Sequence, residues 1–205
     1  FGTFHSVAKK LLEDHLPLQQ IGYKKGFTIL DAEDQSEYIS RIISVNKLNI
    51  KHSKKIIKRI ERYKKNGNIL YSNMKYEDDL EKLLNLLTEE KKKDNVMDFD
   101  DLIDHAYGLL YNNHNINFCK CIIIDEAQDC DIKQINMIEQ VYNSQTGIFV
   151  VGDQNQSIYS WRESELWFFE GLQNACLKNL VYNYRSTDNI LEVAKVFLTD
   201  GQRED

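Results

Sequence analysis

The feature that most constrains the fold of this chain is an alternation of strand, helix and strand in its second half. An apolar run over residues 118–124 has the length of a buried strand, a helical pattern follows over 132–142, and a second apolar run covers 147–151. Parallel strands connected by helices show this alternation. We therefore predict an α/β fold with a parallel sheet, and a further strand near 177–182.

The first half of the chain is predicted to be helical. Apolar residues recur there at the spacing of one helix face. The predicted helices cover about 7–15, with Ser6 as the N-cap, 34–48, 53–65, 77–93 and 99–111. The block 28–94 is therefore predicted to be an all-helical insertion within an α/β core.

Basic residues are concentrated between Lys47 and Lys65, where nine lysines and arginines stand against a lone acid, Glu61. The formal net charge of the chain is −6, which argues against wholesale electrostatic wrapping of nucleic acid. The local pattern fits a helix whose basic face binds nucleic acid, and it fits a merely solvated charged face equally well. Both interpretations stay open on the pattern alone.

Composition narrows the class of protein further. No apolar run approaches the roughly 20 residues that cross a bilayer, so no membrane span is expected. The four cysteines show no metal-ligand spacing, and small apolar packing is the role expected of Cys119 and Cys121. A reduced, cytoplasmic location is the default expectation.

Because the first residue is Phe1, we expect the sequence to be a fragment of a longer protein.

Two carboxylates stand at the end of the first predicted strand of the sheet. Asp125 and Glu126 directly follow the apolar run, and open α/β sheets bind ligands at the carboxyl ends of their strands. In a phosphate-loop ATPase the first acid helps to hold Mg²⁺, and a second carboxylate can accept a proton from the attacking water. The alternative is an acidic turn that only closes a strand.

Polar residues also follow the second predicted strand. Gly152 permits a sharp exit, and Gln156 comes soon after it. The amide of Gln156 could bond a terminal phosphate or an attacking water. Tyr159 and Trp161 offer ring faces on which a nucleobase can stack, a contact worth about 1–3 kcal/mol. Both aromatic residues are equally compatible with a place in the core.

A third polar cluster, residues 182–187, follows the predicted strand near 177–182. Arg185 in this cluster could reach a γ-phosphate and stabilise charge in the transition state. The alternative is a salt bridge at the start of a helix that Ser186 or Thr187 caps.

Six sequence strings, taken in order, resemble UvrD/Rep-type superfamily 1 DNA helicases. They are GTFHS, FTILDAEDQ, MDFDDLI, IIIDEAQD, VGDQNQSIYSWR and NYRSTDNIL, and they span nearly the whole chain. The resemblance implies a RecA-like P-loop NTPase sheet, incomplete in this chain. It also implies hydrolysis of ATP with Mg²⁺, 3′-to-5′ movement along single-stranded DNA, and binding at junctions of single- and double-stranded DNA.

The resemblance implies a nucleotide role for each matched residue. Asp125 corresponds to the Walker B carboxylate that holds Mg²⁺, and Glu126 corresponds to the general base. Gln156 corresponds to the glutamine that senses the γ-phosphate. Tyr184 resembles the tyrosine that stacks on adenine, and Arg185 resembles the arginine that contacts the γ-phosphate from the second motor domain.

DNA contacts are implied as well. Thr3 and His5, in GTFHS, resemble residues that line the DNA strand near its phosphates. Trp161 matches an aromatic residue that stacks on single-stranded DNA, with Tyr159 close to the same track. The lysine-rich block takes the place of the family's 1B insertion, which gives its basic face a reason to contact DNA.

The implied domain order divides the chain into four parts. Residues 1–27 begin the RecA-like domain 1A, 28–94 form the 1B-like insertion, 95–178 complete domain 1A with Walker B, and 179–205 begin domain 2A. The family's GxxxxGK(S/T) loop, Walker A, does not occur in the sequence, and neither do the later motifs of domain 2A. We therefore expect the isolated chain to hydrolyse ATP negligibly and not to unwind duplexes.

Three other functions compete with a helicase. A catalytically dead, helicase-derived DNA-binding or regulatory module would keep the fold, although the intact acidic pair favours an enzyme. An ATPase that never contacts nucleic acid is disfavoured by the aromatic residues Tyr159 and Trp161. A DEAD-box RNA helicase fails on detail, because DEAQD has an extra residue between Ala and Asp and the expected SAT-like element is missing.

Overall fold

The computed structural model describes residues 1–50, 56–58, 60, 77–113, 119–143, 145–153, 156 and 175–200. The chain divides into two compact units, Phe1–Phe118 and Cys119–Asp205. In chain order, the longer described elements are α1 (Phe4–Asp14), β1 (Thr28–Ile29), α2 (Ala32–Val45), α3 (Glu77–Asp94), β2 (Val96–Met97), α4 (Phe99–Asn112), β3 (Cys121–Ile124), α5 (Ile132–Val141), β4 (Gly147–Val150) and α6 (Asp188–Asp200). None of the helices among these residues is both long and apolar enough to span a bilayer.

Helix α1 opens the first unit and packs against α4, burying Ala8 and Leu12. Its N-cap is Thr3, whose hydroxyl oxygen accepts a hydrogen bond from the backbone N–H of Ser6 at 3.3 Å. The prediction of Ser6 as the N-cap is therefore wrong. The extended backbone that a cap requires occurs one turn earlier, and Ser6 already lies inside the helix.

Strands β1 and β2 hold together the two ends of the segment 28–94. They pair in parallel, with Thr28 opposite Val96. A backbone hydrogen bond from the N–H of Leu30 to the carbonyl oxygen of Met97, 2.8 Å long, extends the pairing. The two ends of the segment therefore lie side by side within the first unit. Because β1 belongs to the segment 28–94, the prediction that this segment is all-helical is not confirmed.

Helices α2 and α3 share an apolar core. Helix α2 begins after Asp31, whose carboxylate accepts hydrogen bonds from the backbone N–H groups of Glu33 and Asp34 in a capping box. Residues 56–58 and 60 are also helical, whereas the rest of the predicted helix 53–65 lies outside the described residues. The buried members of this core are Ile39, Ile42, Ile43, Ile56, Ile60, Leu83 and Leu87. Leu80 and Leu84 pack against it, so the leucine stripe of α3, which consists of Leu80, Leu83, Leu84 and Leu87, faces this core.

A buried charge cluster joins α3 to the start of α4. The Nζ atom of Lys91 donates hydrogen bonds to Asp98 and, at 2.6 Å, to Asp101. These three residues are only 5%, 3% and 9% exposed. The two aspartates also form the capping box of α4, and Gln35 of α2 donates to Asp98 at 2.8 Å. The mutual bonds offset the cost of removing these charges from water.

Strands β3 and β4 form a parallel pair in the second unit, and α5 connects them. Ile124 lies opposite Val150 at the carboxyl end of the pair. The strand–helix–strand alternation predicted from the sequence is therefore confirmed. Helix α5 contributes the buried residues Ile135, Met137 and Ile138.

Two expectations fail in this unit. Residues 175–183 form neither helix nor strand, so the predicted strand near 177–182 is wrong. An extended segment becomes a strand only where a neighbour supplies hydrogen bonds, and the sheet of β3 contains two strands within the described residues. Leu177 and Leu180 are accordingly 87% and 91% exposed. Cys121, for which packing was expected, is also exposed.

Candidate functional site

The acidic pair lies on a sharp turn at the carboxyl end of β3. Asp125 and Glu126 are both exposed. Glu126 has φ 52° and ψ 47°, the left-handed region that residues other than glycine seldom adopt. The Oδ1 atom of Asp125 accepts a hydrogen bond from the backbone N–H of Glu126 at 3.0 Å. The turn thus presents two successive carboxylates to solvent at the end of the strand.

The ends of β3 and β4 are held close together. The N–H of Val151 donates to the carbonyl oxygen of Ile124 at 2.8 Å, and the N–H of Ala127 donates to the carbonyl oxygen of Val151 at 3.0 Å. A Cβ atom on Gly152 would lie 2.9 Å from the Oε1 atom of Gln128 and 3.2 Å from the Cβ of Ala127. The absence of a side chain at Gly152 therefore permits this close approach.

Gln128 bridges the two strand ends and is only 2% exposed. Its Nε2 atom donates to the Oε2 atom of Glu126 at 2.6 Å. Its Oε1 atom accepts from the backbone N–H of Asp153 at 3.0 Å. The sequence patterns do not single out Gln128. Its place two residues after Glu126 is the feature of the sequence that could have pointed to it. Its burial could not have been predicted, because that depends on the close approach of Gly152.

Gln156 lies on the same network. Its Nε2 atom donates to the Oδ2 atom of Asp153 at 2.8 Å, and its backbone N–H donates to the carbonyl oxygen of Asp153 at 3.0 Å. Because Gln128 holds the N–H of Asp153, a series of hydrogen-bonded residues leads from Glu126 to Gln156. The structure therefore brings these two predicted site residues onto one network.

Tyr184 and Arg185 lie in an exposed segment shortly before α6. The Oδ1 atom of Asn183 accepts hydrogen bonds from the N–H groups of Arg185 and Ser186, both at 2.9 Å. The ring of Tyr184 lies 6.3 Å from that of Tyr182. Within the described residues, the guanidinium of Arg185 forms no hydrogen bond or ion pair with the acidic turn or the loop after β4. Among the described residues, Arg185 is therefore not bonded to the acidic pair.

The predicted DNA residues Thr3 and His5 lie at the start of α1, in the first unit. The ring of His5 contacts the ring of Phe99 edge-on, with centroids 5.5 Å apart and planes at 89°. Phe99 is 49% exposed, and the sequence patterns do not assign it a role although it lies within MDFDDLI. Tyr159 and Trp161 lie outside the described residues.

The acidic turn has the oxygen ligands that Mg²⁺ prefers in proteins. The carboxylate of Asp125 is exposed. The Oδ1 atom of Asp129 is buried and lacks a hydrogen-bond partner within the described residues. Mg²⁺ is usually bound through one or two carboxylates together with substrate phosphates. The residues present therefore fit a Mg²⁺ ion that arrives with a nucleotide.

Cys130 follows the acidic turn and is buried. Burial raises the pKa of the Cys130 thiol to about 12, and the neighbouring carboxylates of Asp131 and Asp129 act in the same direction. The thiol therefore stays protonated at neutral pH, and it serves as a packing group rather than a nucleophile.

Comparison with known families decides where this chain belongs. A family model of the UvrD/REP helicase N-terminal domain matches residues 1–176. The chain belongs to the UvrD/REP helicase family. The described part of this UvrD/REP chain mixes helices with short parallel sheets, which is consistent with a partial RecA-like helicase domain.

Curated relatives of this UvrD/REP chain are DNA helicases by name. A probable DNA helicase II homolog of Rickettsia felis is 32% identical over 98% of this chain and 33% of its own length. The ATP-dependent DNA helicase Rep of Buchnera aphidicola is 30% identical over 97% of this chain and 31% of its own length. The ATP-dependent DNA helicase PcrA of Staphylococcus epidermidis is 29% identical over 94% of this chain and 28% of its own length. The chain thus spans about a third of the length of these relatives.

Proposed function

We propose that this chain is part of an ATP-dependent DNA helicase, a motor that couples ATP hydrolysis to 3′-to-5′ movement along single-stranded DNA. The observation that carries the proposal is the hydrogen-bonded network from Glu126 to Gln156 at the shared end of two parallel strands. Open α/β sheets bind their ligands at that edge. The names of the relatives, all DNA helicases, support the choice of DNA as the track.

Glu126 acts as the general base in this proposal. Gln128 binds its Oε2 atom at 2.6 Å, which leaves the other carboxylate oxygen to accept a proton from the attacking water. Asp125, one residue earlier, holds Mg²⁺ through its exposed carboxylate. When bound, Mg²⁺ neutralises charge on the β- and γ-phosphates of ATP.

Three more residues bind the nucleotide. The exposed amide of Gln156 contacts the γ-phosphate or the attacking water. The ring of Tyr184, which is 93% exposed, stacks on adenine, and Arg185 contacts the γ-phosphate from the second motor domain. These roles require the two motor domains to close on ATP.

Single-stranded DNA binds along the predicted aromatic and polar residues. The exposed ring of Phe99 beside His5 adds a face on which a base can stack. The segment 28–94 serves as a helical insertion whose basic residues contact DNA phosphates at a junction of single- and double-stranded DNA. The residues proposed to contact the single strand by resemblance are Thr3, His5, Tyr159 and Trp161.

The chain supplies only part of the motor in this proposal. Domain 1A comprises 1–27 and 95–178, and domain 2A begins at 179. The sequence contains no GxxxxGK(S/T) loop, so the isolated chain hydrolyses ATP negligibly and does not unwind duplexes. The four free cysteines suit a reducing compartment, and we place the protein in the cytoplasm.

The test is ATP turnover by the complete gene product with and without single-stranded DNA. A helicase motor is stimulated several-fold by the strand, and it displaces the partner strand of a 3′-tailed duplex but not of a 5′-tailed one. Turnover that is indifferent to DNA would indicate an ATPase unrelated to nucleic acid. Tight DNA binding without turnover would indicate a catalytically dead DNA-binding module.

A further inference from the structure

We infer that Gln128 is a positioning residue, which holds the Glu126 carboxylate in place for ATP hydrolysis by coupling it to the backbone of Asp153 after β4. The inference rests on the proposed function, because it concerns the same site. Gln128 itself does not touch the nucleotide in this account. It acts through Glu126 on one side and through Asp153 on the other.

Both polar atoms of the Gln128 amide form hydrogen bonds. The Nε2 atom donates to Glu126 Oε2 at 2.6 Å, and the Oε1 atom accepts from the N–H of Asp153 at 3.0 Å. A primary amide can donate and accept at the same time, whereas a carboxylate can only accept. Because the side chain is 2% exposed, water cannot readily replace either bond. The position of the amide therefore fixes the position of the carboxylate.

The network continues beyond Gln128 into the loop. Asp153 binds the amide of Gln156 at 2.8 Å through its own carboxylate. The same loop runs on in sequence to the proposed DNA residues Tyr159 and Trp161. A shift of the loop that moves the Asp153 backbone must lengthen the bond to Gln128 or move its amide. Either change would move the carboxylate of Glu126, the proposed general base.

Two features of Glu126 make the position of its carboxylate sensitive to such a change. Its backbone occupies the left-handed region, and its side chain is exposed. Without the amide, the carboxylate would sample several rotamers, only some of which would face the attacking water. Misplacement of a reacting group lowers the rate of the chemical step more than it weakens substrate binding. The coupling should therefore appear in kcat and not in KM.

The experiment compares Gln128→Met with the wild type in the complete gene product. Methionine keeps the length of the side chain and removes both hydrogen bonds. At saturating single-stranded DNA we expect kcat to fall roughly 10- to 100-fold, with KM for ATP and the affinity for DNA within about twofold of the wild type. The matched control is Gln145→Met, an exposed glutamine of the same unit, which should retain wild-type kcat.

A second variant separates positioning from packing. Gln128→Glu keeps the shape and the acceptor for the Asp153 N–H, but it loses the donor to Glu126 and adds a like charge beside it. We expect the same loss of kcat. If Gln128→Met does not fold, Gln128→Glu tests the positioning role of Gln128 in its place.

Failure of the coupling and failure of the proposed function give different results. If the wild type shows no DNA-stimulated turnover, the proposed function fails and the coupling fails with it. If the wild type is stimulated and the folded Gln128 variants keep kcat within about twofold, only the coupling is overturned. A rise in KM at unchanged kcat would overturn it too.

Discussion

Replacing Lys91 with methionine removes a cation that is buried between two carboxylates in the first unit. Its Nζ atom lies 2.6 Å from Asp101 and is also bonded to Asp98. Breaking a buried ion pair by removing one partner costs about 3–5 kcal/mol. The aspartates keep their capping-box bonds, and Asp98 keeps the bond from Gln35. We therefore expect a loss near the lower limit, about 3 kcal/mol in the free energy of unfolding.

The assay is equilibrium urea unfolding followed by far-UV circular dichroism, with hydrogen exchange of the α4 amides to locate the loss. The control is Lys93→Met, whose lysine is 71% exposed and pairs with Glu90 at 3.3 Å. Such surface pairs contribute little, so the control should lie within about 1 kcal/mol of the wild type. Adding Asp101→Asn to Lys91→Met should recover part of the loss, since it removes one uncompensated charge. A loss below about 1 kcal/mol in Lys91→Met would refute the reasoning.

Three further predictions concern other parts of the chain. Gly152→Ala places a Cβ 2.9 Å from a buried amide oxygen, so the complete gene product should remain folded by circular dichroism but lose most ATP turnover; unchanged turnover would speak against the close approach. The Arg41 guanidinium, by its hydrogen bond, lowers the pKa of Asp94 below its ordinary 3.8; Arg41→Met should therefore lower stability by less than about 1 kcal/mol at neutral pH. This difference in stability between the wild type and Arg41→Met is fully present above the ordinary pKa of Asp94, and it is lost as the pH falls through the lowered pKa. Urea titrations that show a constant difference in stability down to acid pH would contradict this prediction. Because burial raises the pKa of Cys130 to about 12, a thiol reagent at mildly alkaline pH should label it far more slowly than exposed Cys176, and equal rates by peptide mass spectrometry would argue against its burial.

Elements with a strong local pattern could be predicted from the sequence. The apolar run that becomes β3 and the periodic run that becomes α5 are recognisable because their burial repeats at the period of the element. The leucine stripe of α3 also predicts its buried face. Lys91 lies four residues after Leu87 on the same face, so this stripe contains the signal for its burial, although a lysine is ordinarily assigned to the surface.

Features that depend on distant partners could not be predicted. The segment 177–182 has the residues of a strand, but no strand of the described chain pairs with it. The bridging position of Gln128 arises because Gly152, 24 positions later in the sequence, lets the two strand ends meet. The N-cap of α1 is also ambiguous in the sequence, because both Thr3 and Ser6 are suitable capping residues. Only the backbone conformation selects between them.

Glu126→Gln in the complete gene product, assayed for ATP turnover at saturating single-stranded DNA, tests most directly whether the acidic turn after β3 performs the chemistry of a DNA-stimulated motor. Removal of a general base lowers the rate by roughly 10²- to 10⁴-fold, so turnover should fall by at least about a hundredfold. The matched control, Glu139→Gln, changes an exposed glutamate of α5 and should retain wild-type turnover. Turnover of Glu126→Gln equal to that of the control would contradict the assignment.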